Sequence, residues 1–259
     1  MIIRQFKSLL YLLVKLRLHL TILFSIILFS NNYFLQREID WFFIISFSLW
    51  HFALFLFDRV YDRAIDKLSQ PNEYVKDKFA KILYGVTFIM VLLSALFFLL
   101  SPYPFFIWLV ILPFVFLYPL RIYNSFRIKS IFLIKNLYSS VFIYTLPVVL
   151  QTYLLGAEFT NITLISSLFI YVMIGEVFWD IRDMEADRLH KTITIPNYLG
   201  LTFTKYYIFI LIVIDYLLKD EYLSLSGWIY LCLIISITQK SDRLIFHVPP
   251  LLALLNFIL

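Results

Sequence analysis

Long apolar segments alternate with short polar connections along almost the whole chain. A segment of about 17 to 25 apolar residues can cross a bilayer as a helix. Segments that reach or approach this length lie at about 10–34, 41–57, 80–100, 104–120, 131–152, 162–179, 203–218, 223–238 and 243–259. The pattern predicts an all-α membrane bundle of about nine transmembrane helices. Eight helices is the alternative, because several of the segments are short for a full span.

The composition supports a polytopic membrane protein. Hydrophobic residues make up 62% of the 259 residues and charged residues only 15%. A soluble domain of this size cannot bury so much apolar surface. Five glycines and no GxxxxGK sequence exclude a glycine-rich phosphate loop, and the single Cys232 cannot form an intramolecular disulfide. No linker or low-complexity tract divides the chain, so we predict one membrane-embedded domain over 1–259.

The basic residues recur in the short connections and are not gathered in one block. If the N-terminus is cytoplasmic, 20 of the 22 Lys and Arg residues fall on the cytoplasmic side, and only Arg37 and Lys219 fall outside. The positive-inside rule therefore favours nine spans with a cytoplasmic N-terminus, in the plasma membrane. This distribution does not indicate nucleic-acid binding. The expected surroundings of the chain are the lipid bilayer.

Two acidic clusters directly follow apolar segments, where ionisable groups are costly and tend to be functional. They are Asp58, Asp62 and Asp66 in the first cluster, and Asp180, Asp183 and Asp187 in the second. On a helix, either spacing places its three carboxylates on one face. The topology puts both clusters on the cytoplasmic side. Each contains Asp-x-x-x-Asp-Arg, which suggests two related four-helix halves around a central cavity that holds one shared cation site.

Carboxylates at these spacings repel one another, so positive charge must offset them. One interpretation is local pairing at i, i+3, as for Arg59 with Asp62 or Arg182 with Glu185, which is ordinary at a helix end. The other is Mg²⁺, which prefers carboxylate and phosphate oxygens. Two clusters on one membrane side favour Mg²⁺ and allylic diphosphate chemistry, in which metal ions stabilise the leaving diphosphate. Aromatic ring faces can stabilise the allylic cation that remains.

The second cluster lies in a recognisable motif. Residues 175–188 read Gly-Glu-Val-Phe-Trp-Asp-Ile-Arg-Asp-Met-Glu-Ala-Asp-Arg, and they resemble the second Asp-rich motif of the UbiA superfamily of intramembrane prenyltransferases. Residues 194–200, Thr-Ile-Pro-Asn-Tyr-Leu-Gly, resemble the usual continuation of that motif. The chain length and the nine predicted helices also match the family. The resemblance implies its fold, Mg²⁺ as cofactor and a polyprenyl diphosphate as substrate.

The first cluster matches the family less regularly. The family pattern is Asn-Asp-x-x-Asp-x-x-x-Asp, and Asp62, Arg63 and Asp66 fit it. Asp58 stands where Asn is usual, and Arg59 stands where Asp is usual. The number of carboxylates is kept, but one of them has moved by one position.

The resemblance also implies roles for individual residues. Residues 118–121 and the pair Lys135-Asn136 look like the family's segment between the fourth and fifth helices. Lys135 lies inside an apolar run and needs a polar partner there, and the same argument applies more weakly to Arg17. The implied diphosphate contacts are Arg63, Arg121, Lys135, Asn136 and Arg182. The implied catalytic residues are Asp62 and Asp183, and the implied metal ligands are Asp58, Asp62, Asp66, Asp180, Asp183 and Asp187.

The expected function is Mg²⁺-dependent transfer of a prenyl group from a polyprenyl diphosphate to an acceptor in the membrane, either aromatic or another lipid precursor. No residue selects the acceptor. A terpene cyclase on the same scaffold is one alternative, because it would trap the allylic cation without an acceptor. A cation transporter or a non-catalytic membrane protein is another. The acidic residues argue against transport, because they cluster at one interface instead of the midplane.

Overall fold

The computed structural model describes residues 15–69, 74–120, 128–156, 162–189, 192–219 and 225–238, with positions 240–241, 245–246 and 248. All regular elements in these ranges are helical, so the all-α prediction is confirmed for them. The elements are α1 (Leu18–Phe34), α2 (Trp41–Tyr61), α3 (Arg63–Ser69), α4 (Asp77–Leu99), α5 (Phe106–Leu117), α6 (Ile134–Leu154), α7 (Ile162–Leu189), α8 (Ile195–Lys219) and α9 (Leu225–Ser236). A single 3₁₀ turn, Ile128–Ser130, precedes α6.

Five of these helices are long and apolar enough to cross a membrane, namely α2, α4, α6, α7 and α8. Three shorter apolar helices, α1, α5 and most of α9, accompany them in the described ranges. The predicted last segment, 243–259, lies almost entirely outside the described residues. The count of nine spans, the related halves and the central cavity therefore stay predictions.

The described residues divide into two compact units. The first contains α1 as far as Phe29 and helices α2 to α5, and the second contains Ser30–Arg37 and helices α6 to α9. In the most apolar 18-residue stretch of α2, 61% of the residues are buried, and the same share is buried in α7. In the corresponding stretches of α4 and α8, only 22% of the residues are buried. Thus α2 is the central helix of its unit and α7 of the other. The exposed apolar faces of α4 and α8 suit contact with lipid.

Helix α2 begins at Trp41 because Asp40 caps it. The Asp40 carboxylate accepts a hydrogen bond from the backbone N–H of Phe43 at 3.1 Å, which satisfies one of the free donors of the first turn. Phe43 and Phe47 then stack with their centroids 4.5 Å apart, and both pack against Phe98 of α4. This apolar packing fixes α2 beside α4 and orients the last turn of α2, where the first acidic cluster starts.

Helix α7 extends well beyond the apolar segment predicted at 162–179. It continues without interruption to Leu189, so the whole second acidic cluster lies within one helix. Apolar residues on α7, including Ile174 and Phe178, pack with Ile208 of α8 and Tyr230 of α9 in one buried core. The core residues of α7 run from Ile170 to Ile181, so the packing reaches the start of the second acidic cluster. The prediction that the three aspartates share a helix is confirmed for this cluster.

Helix α6 contains a π-helical segment at Ser139–Thr145. Pro147 follows it at the start of the next α-helical turns, and a proline can neither donate a backbone hydrogen bond nor tolerate the carbonyl of residue 143 at the usual α-helical distance. The wider π turn relieves this conflict. The first turn of α6, with Lys135 and Asn136, therefore keeps α-helical geometry.

The structure also explains why Lys219 falls outside the basic pattern. Asp215 of α8 is buried, and it accepts a hydrogen bond from the hydroxyl of Ser167. The Lys219 ammonium lies 3.6 Å from the other oxygen of the Asp215 carboxylate. A buried carboxylate needs such a neutralising partner. Lys219 thus has a buried carboxylate as its partner at a position that the predicted charge pattern leaves as an exception.

Helix α8 starts earlier than the predicted segment at 203–218, and it is kinked at Gly200. The backbone there has φ 79° and ψ 164°, a combination that only glycine adopts readily. The Gly200 carbonyl oxygen accepts a hydrogen bond from the hydroxyl of Thr204 at 2.8 Å. The residues before Gly200 therefore form a separate first turn, which belongs to the stretch that resembles the family motif.

We expect Gly200→Ala to lower the free energy of unfolding by about 1–3 kcal/mol, because a Cβ atom is strained at this backbone conformation. Gly85→Ala is the matched control, since Gly85 lies within α4 and a Cβ atom would meet nothing within 4 Å. That control should be neutral or stabilising by up to about 1 kcal/mol. Unfolding in mixed micelles measures both variants. Equal stability of the two would contradict the strained kink.

Candidate functional site

The first acidic cluster lies at a break between two helices. Asp58 is in the last turn of α2, Asp62 directly follows the end of α2, and Asp66 is in α3. The N–H of Asp62 donates to the Asp58 carbonyl oxygen at 2.9 Å, and the N–H of Asp66 donates to the Asp62 carbonyl oxygen at 2.9 Å. The three aspartates thus span two helices that meet at Asp62, and the hydrogen bonds keep the helical spacing across the break. All three side chains are buried.

Two arginines bind carboxylates of this cluster. The Arg59 guanidinium lies 2.9 Å from an oxygen of Asp66, and its side chain is only 2% exposed. The Arg17 guanidinium lies 3.0 Å from an oxygen of Asp58 and stacks over the Phe55 ring at 5.5 Å from the centroid. A guanidinium stays charged at any ordinary pH. The cluster thus carries its own permanent cations.

Arg17 does not lie inside the first helix, as the apolar pattern had suggested. Helix α1 begins at Leu18, and Arg17 precedes it with φ 55°. A left-handed conformation is uncommon for a residue other than glycine and costs roughly 1–2 kcal/mol. The ion pair with Asp58 and the contact with Phe55 hold Arg17 in it. The pairing joins residues that are 41 positions apart, so spacing along the chain could not reveal it.

Arg63 is directed away from the first cluster. Its guanidinium donates to the carboxylate of Asp77 at 2.7 Å, at an exposed position. This hydrogen bond raises the pKa of Arg63. Burial raises the pKa of the Asp66 carboxyl, and the positive charges of Arg59 and Arg17 partly oppose that rise. Both guanidinium groups therefore act on the same buried carboxylate.

In the second cluster, Asp180 is the most deeply buried carboxylate. Its side chain is 0% exposed. One carboxylate oxygen accepts a hydrogen bond from the Lys135 ammonium, and the other accepts one from the Asn136 amide at 3.0 Å. The structure thus brings Lys135, Asn136 and Asp180 together, and it identifies the polar partner that Lys135 needs within its apolar run.

The other two carboxylates of the second cluster are bound differently. Asp183 receives two hydrogen bonds from the Arg182 guanidinium, at 2.9 and 2.7 Å. One oxygen of Asp187 is buried and has no hydrogen-bond partner in the described part of the chain. Lys129 and Lys135 both lie close enough to Asp187 to attract its charge. The cluster therefore combines fixed cations with a carboxylate oxygen that can still accept a ligand.

A hydrogen bond joins the two stretches that carry the family resemblance. The Arg188 guanidinium donates to the side-chain oxygen of Asn197 at 3.0 Å, and the N–H of Thr192 donates to the Asp187 carbonyl oxygen at 2.8 Å. The end of α7 and the start of α8 are thus held together beside the second cluster.

The UbiA prenyltransferase family profile matches residues 18–239. This chain belongs to that family. The match includes both acidic clusters, the Lys135–Asn136 pair and most of the described helices. Membership of the UbiA family, together with the apolar helices, makes the chain an integral membrane protein.

Solved structures of UbiA proteins share the fold. A UbiA homologue from Archaeoglobus fulgidus, bound to DMAPP and Mg²⁺, superposes with a TM-score of 0.61 at 15% identity, covering 95% of this chain and 96% of that one. The structure of a digeranylgeranylglyceryl phosphate synthase superposes with a TM-score of 0.57 at 15% identity, covering 97% and 98%. No curated protein sequence matches the chain.

The UbiA resemblance implies that Mg²⁺ is bound by the acidic residues. Among the described residues, no group of three or more His, Cys, Asp or Glu side chains could hold a metal ion. Mg²⁺ does not require three protein ligands, since it keeps several waters and is usually held by one or two carboxylates with substrate phosphates. The buried oxygen of Asp187 without a hydrogen-bond partner suits a hard cation. The second cluster therefore fits Mg²⁺ that is bound together with a phosphate.

Glu176 is a further acidic residue of the motif stretch, and neither acidic cluster includes it. Glu176 lies on α7, four residues before Asp180, and its side chain is buried. This helical spacing is the signal that places it on the face of Asp180. Arg121, an implied diphosphate contact, lies outside the described residues. His51 is buried and stacks on Phe24 at 4.3 Å, which agrees with a packing role.

Proposed function

We propose that this UbiA protein transfers a prenyl group from a polyprenyl diphosphate to an acceptor in the membrane. The observation that carries the proposal is the arrangement around Asp180 within the family motif. A buried carboxylate holds Lys135 and Asn136 beside it, and the nearby Asp187 keeps an oxygen that accepts no hydrogen bond in the described part of the chain. Fixed cations next to an available hard oxygen are what a metal-bound diphosphate needs.

Each residue of the second cluster has a role in the proposal. Lys135, positioned by Asp180, would donate to diphosphate oxygens, since an ammonium carries three N–H donors. Arg182, aligned by its two bonds to Asp183, would present a planar guanidinium to the same charge. Mg²⁺, when bound by Asp183 and Asp187 with Asp180 adjoining, supplies charge neutralisation for the departing diphosphate. Because these groups are already ordered, they need little reorganisation as the C–O bond breaks.

The first cluster is proposed to act on the diphosphate as well. Asp58, Asp62 and Asp66 stay our proposed ligands there for Mg²⁺ that is bound together with the diphosphate, with Asp62 as the catalytic member. Arg63 remains a proposed diphosphate contact, although in this structure it binds Asp77. An exposed ion pair is weak, about 0–1 kcal/mol, so diphosphate can compete for the arginine.

The fold neighbours support the donor and the metal, but not a particular acceptor. The Archaeoglobus homologue binds DMAPP, an allylic diphosphate, together with Mg²⁺. The second neighbour is a synthase of a prenylated glyceryl phosphate lipid. We propose the same donor class and metal for this chain. The family match runs through both units, which supports one prenyltransferase domain, and we propose that its acidic clusters face the cytoplasm from the plasma membrane.

The test is a transfer assay with purified protein in lipid nanodiscs. Labelled allylic diphosphates of increasing chain length are supplied with a lipid extract, and new conjugates are detected by mass. We expect a prenylated conjugate that requires Mg²⁺ and that falls to background with EDTA, with recovery when Mg²⁺ is returned, because the divalent ion must neutralise the diphosphate as it leaves.

The product separates the alternatives. A hydrocarbon or alcohol without an added acceptor would show a terpene cyclase. Divalent-ion flux into liposomes without any diphosphate would show a transporter. If the protein neither binds nor consumes an allylic diphosphate of any chain length with Mg²⁺, the proposed function is wrong.

A further inference from the structure

We propose that Arg59 is a built-in cation of the first acidic cluster and takes the place of a divalent ion there as long as no diphosphate is bound. In the absence of diphosphate, the cluster of Asp58, Asp62 and Asp66 then binds no divalent ion by itself. The inference deepens the proposed function and rests on it only for the identity of the substrate. It concerns this chain, because the UbiA resemblance places Asp, not Arg, at position 59.

Arg59 is almost completely buried. Its side chain is 2% exposed, and the Asp66 side chain that it binds is 10% exposed. A buried guanidinium remains charged and is stable only when a carboxylate compensates it. If Arg59 moved away from Asp66, a buried carboxylate would be left without its cation, which is strongly destabilising. The pair is therefore a permanent part of the folded structure.

The arginines offset most of the negative charge of the first cluster. Arg17 binds Asp58 from the turn before α1, and Arg59 binds Asp66 across the break between α2 and α3. Both arginines and Asp58 act electrostatically on Asp66, so the groups belong to one cluster. Three carboxylates and two guanidinium groups leave a single net negative charge. A divalent cation that entered the cluster would be repelled by two nearby positive charges and attracted by only one net negative charge.

The carboxylates of the second cluster are bound differently from those of the first. There the carboxylate oxygen of Asp187 lies buried with no hydrogen-bond partner in the described ranges, whereas two of the three first-cluster carboxylates are bound by guanidinium groups. A guanidinium holds a carboxylate by directed hydrogen bonds, as a metal ion holds it by coordination. Arg59 thus gives the first cluster the cohesion that a metal would supply, without a free ion.

The test measures divalent-ion binding without any diphosphate, using Mn²⁺ and its electron paramagnetic resonance signal on purified full-length protein. Asp58→Asn with Arg59→Asp restores the regular family pattern in one double variant. We expect the double variant to bind at least one more Mn²⁺ per chain than the wild type. Lys81→Gln, which makes the same net charge change of −1 at an exposed position on α4, is the control and should bind as the wild type does.

Equal Mn²⁺ binding by the wild type and the folded double variant overturns the inference. Asp66→Asn in the otherwise unchanged chain is the second measurement, and it decides the matter if the double variant does not fold. We expect it to leave Mn²⁺ binding unchanged, and loss of a bound ion from this variant also overturns the inference. Because no diphosphate is present, these results are independent of the transfer assay. Mg²⁺-dependent transfer can hold while the Arg59 inference fails, and the reverse.

Discussion

Asp183→Asn is expected to reduce the rate of prenyl transfer by about 100- to 1,000-fold, the usual effect of removing one preorganised electrostatic contact from an active site. Asparagine has nearly the same shape, so the packing along α7 is kept. The variant loses the negative charge that aligns Arg182 through two hydrogen bonds, and with it a proposed ligand of the metal. The initial rate of conjugate formation in nanodiscs measures the loss. The same loss is expected for Asp62→Asn in the first cluster.

The matched control is Glu185→Gln. Glu185 is exposed and lies on the same helix, two residues after Asp183. Its replacement removes the same charge close to the cluster and should leave the rate within about twofold, since exposed charges interact weakly through water. Circular dichroism and gel filtration establish that both variants are folded. A folded Asp183→Asn protein that keeps more than a tenth of the wild-type rate would exclude Asp183 from the chemistry.

Lys135→Met is expected to lower the free energy of unfolding by about 3–5 kcal/mol, the cost of leaving a buried charge without its partner. Asp180 is 0% exposed, and the Lys135 ammonium is the cation that holds one of its oxygens. The remaining hydrogen bond from Asn136 cannot neutralise the carboxylate. Unfolding in mixed micelles measures the difference. The variant should also lose prenyl transfer, because the diphosphate would lose a proposed cation.

Two further variants distinguish the loss of the Lys135–Asp180 ion pair from a general effect of replacing lysine by methionine. Lys135→Met combined with Asp180→Asn removes both charges, and it should recover most of the stability but none of the activity. Lys205→Met is the control, since the Lys205 ammonium donates to the Ile235 carbonyl oxygen at 3.1 Å and has no ion pair among the described residues. It should cost no more than about 1.5 kcal/mol. A double variant as unstable as Lys135→Met would mean that the ion pair is not the cause.

Local sequence features predicted much of the helical structure. The apolar segment at 41–57 corresponds to α2, which continues to Tyr61, and the segment at 131–152 corresponds to α6. The hydropathy pattern did not predict where the backbone departs from a regular α-helix. Pro147 is accommodated by a π turn in α6, and Gly200 kinks α8. Hydropathy averages over such positions, because it measures the length of an apolar run and not its backbone geometry.

The sequence by itself determined the helical membrane architecture, the UbiA family and the position of the second acidic cluster on one helix face. These depend on apolar length, motif letters and helical periodicity, which are local properties. The tertiary structure alone decided which cation neutralises which carboxylate. Arg17 and Asp58 are 41 residues apart, and Lys135 and Asp180 are 45 apart. Such pairs exist only after separate helices pack, since burial then requires each charge to have a partner.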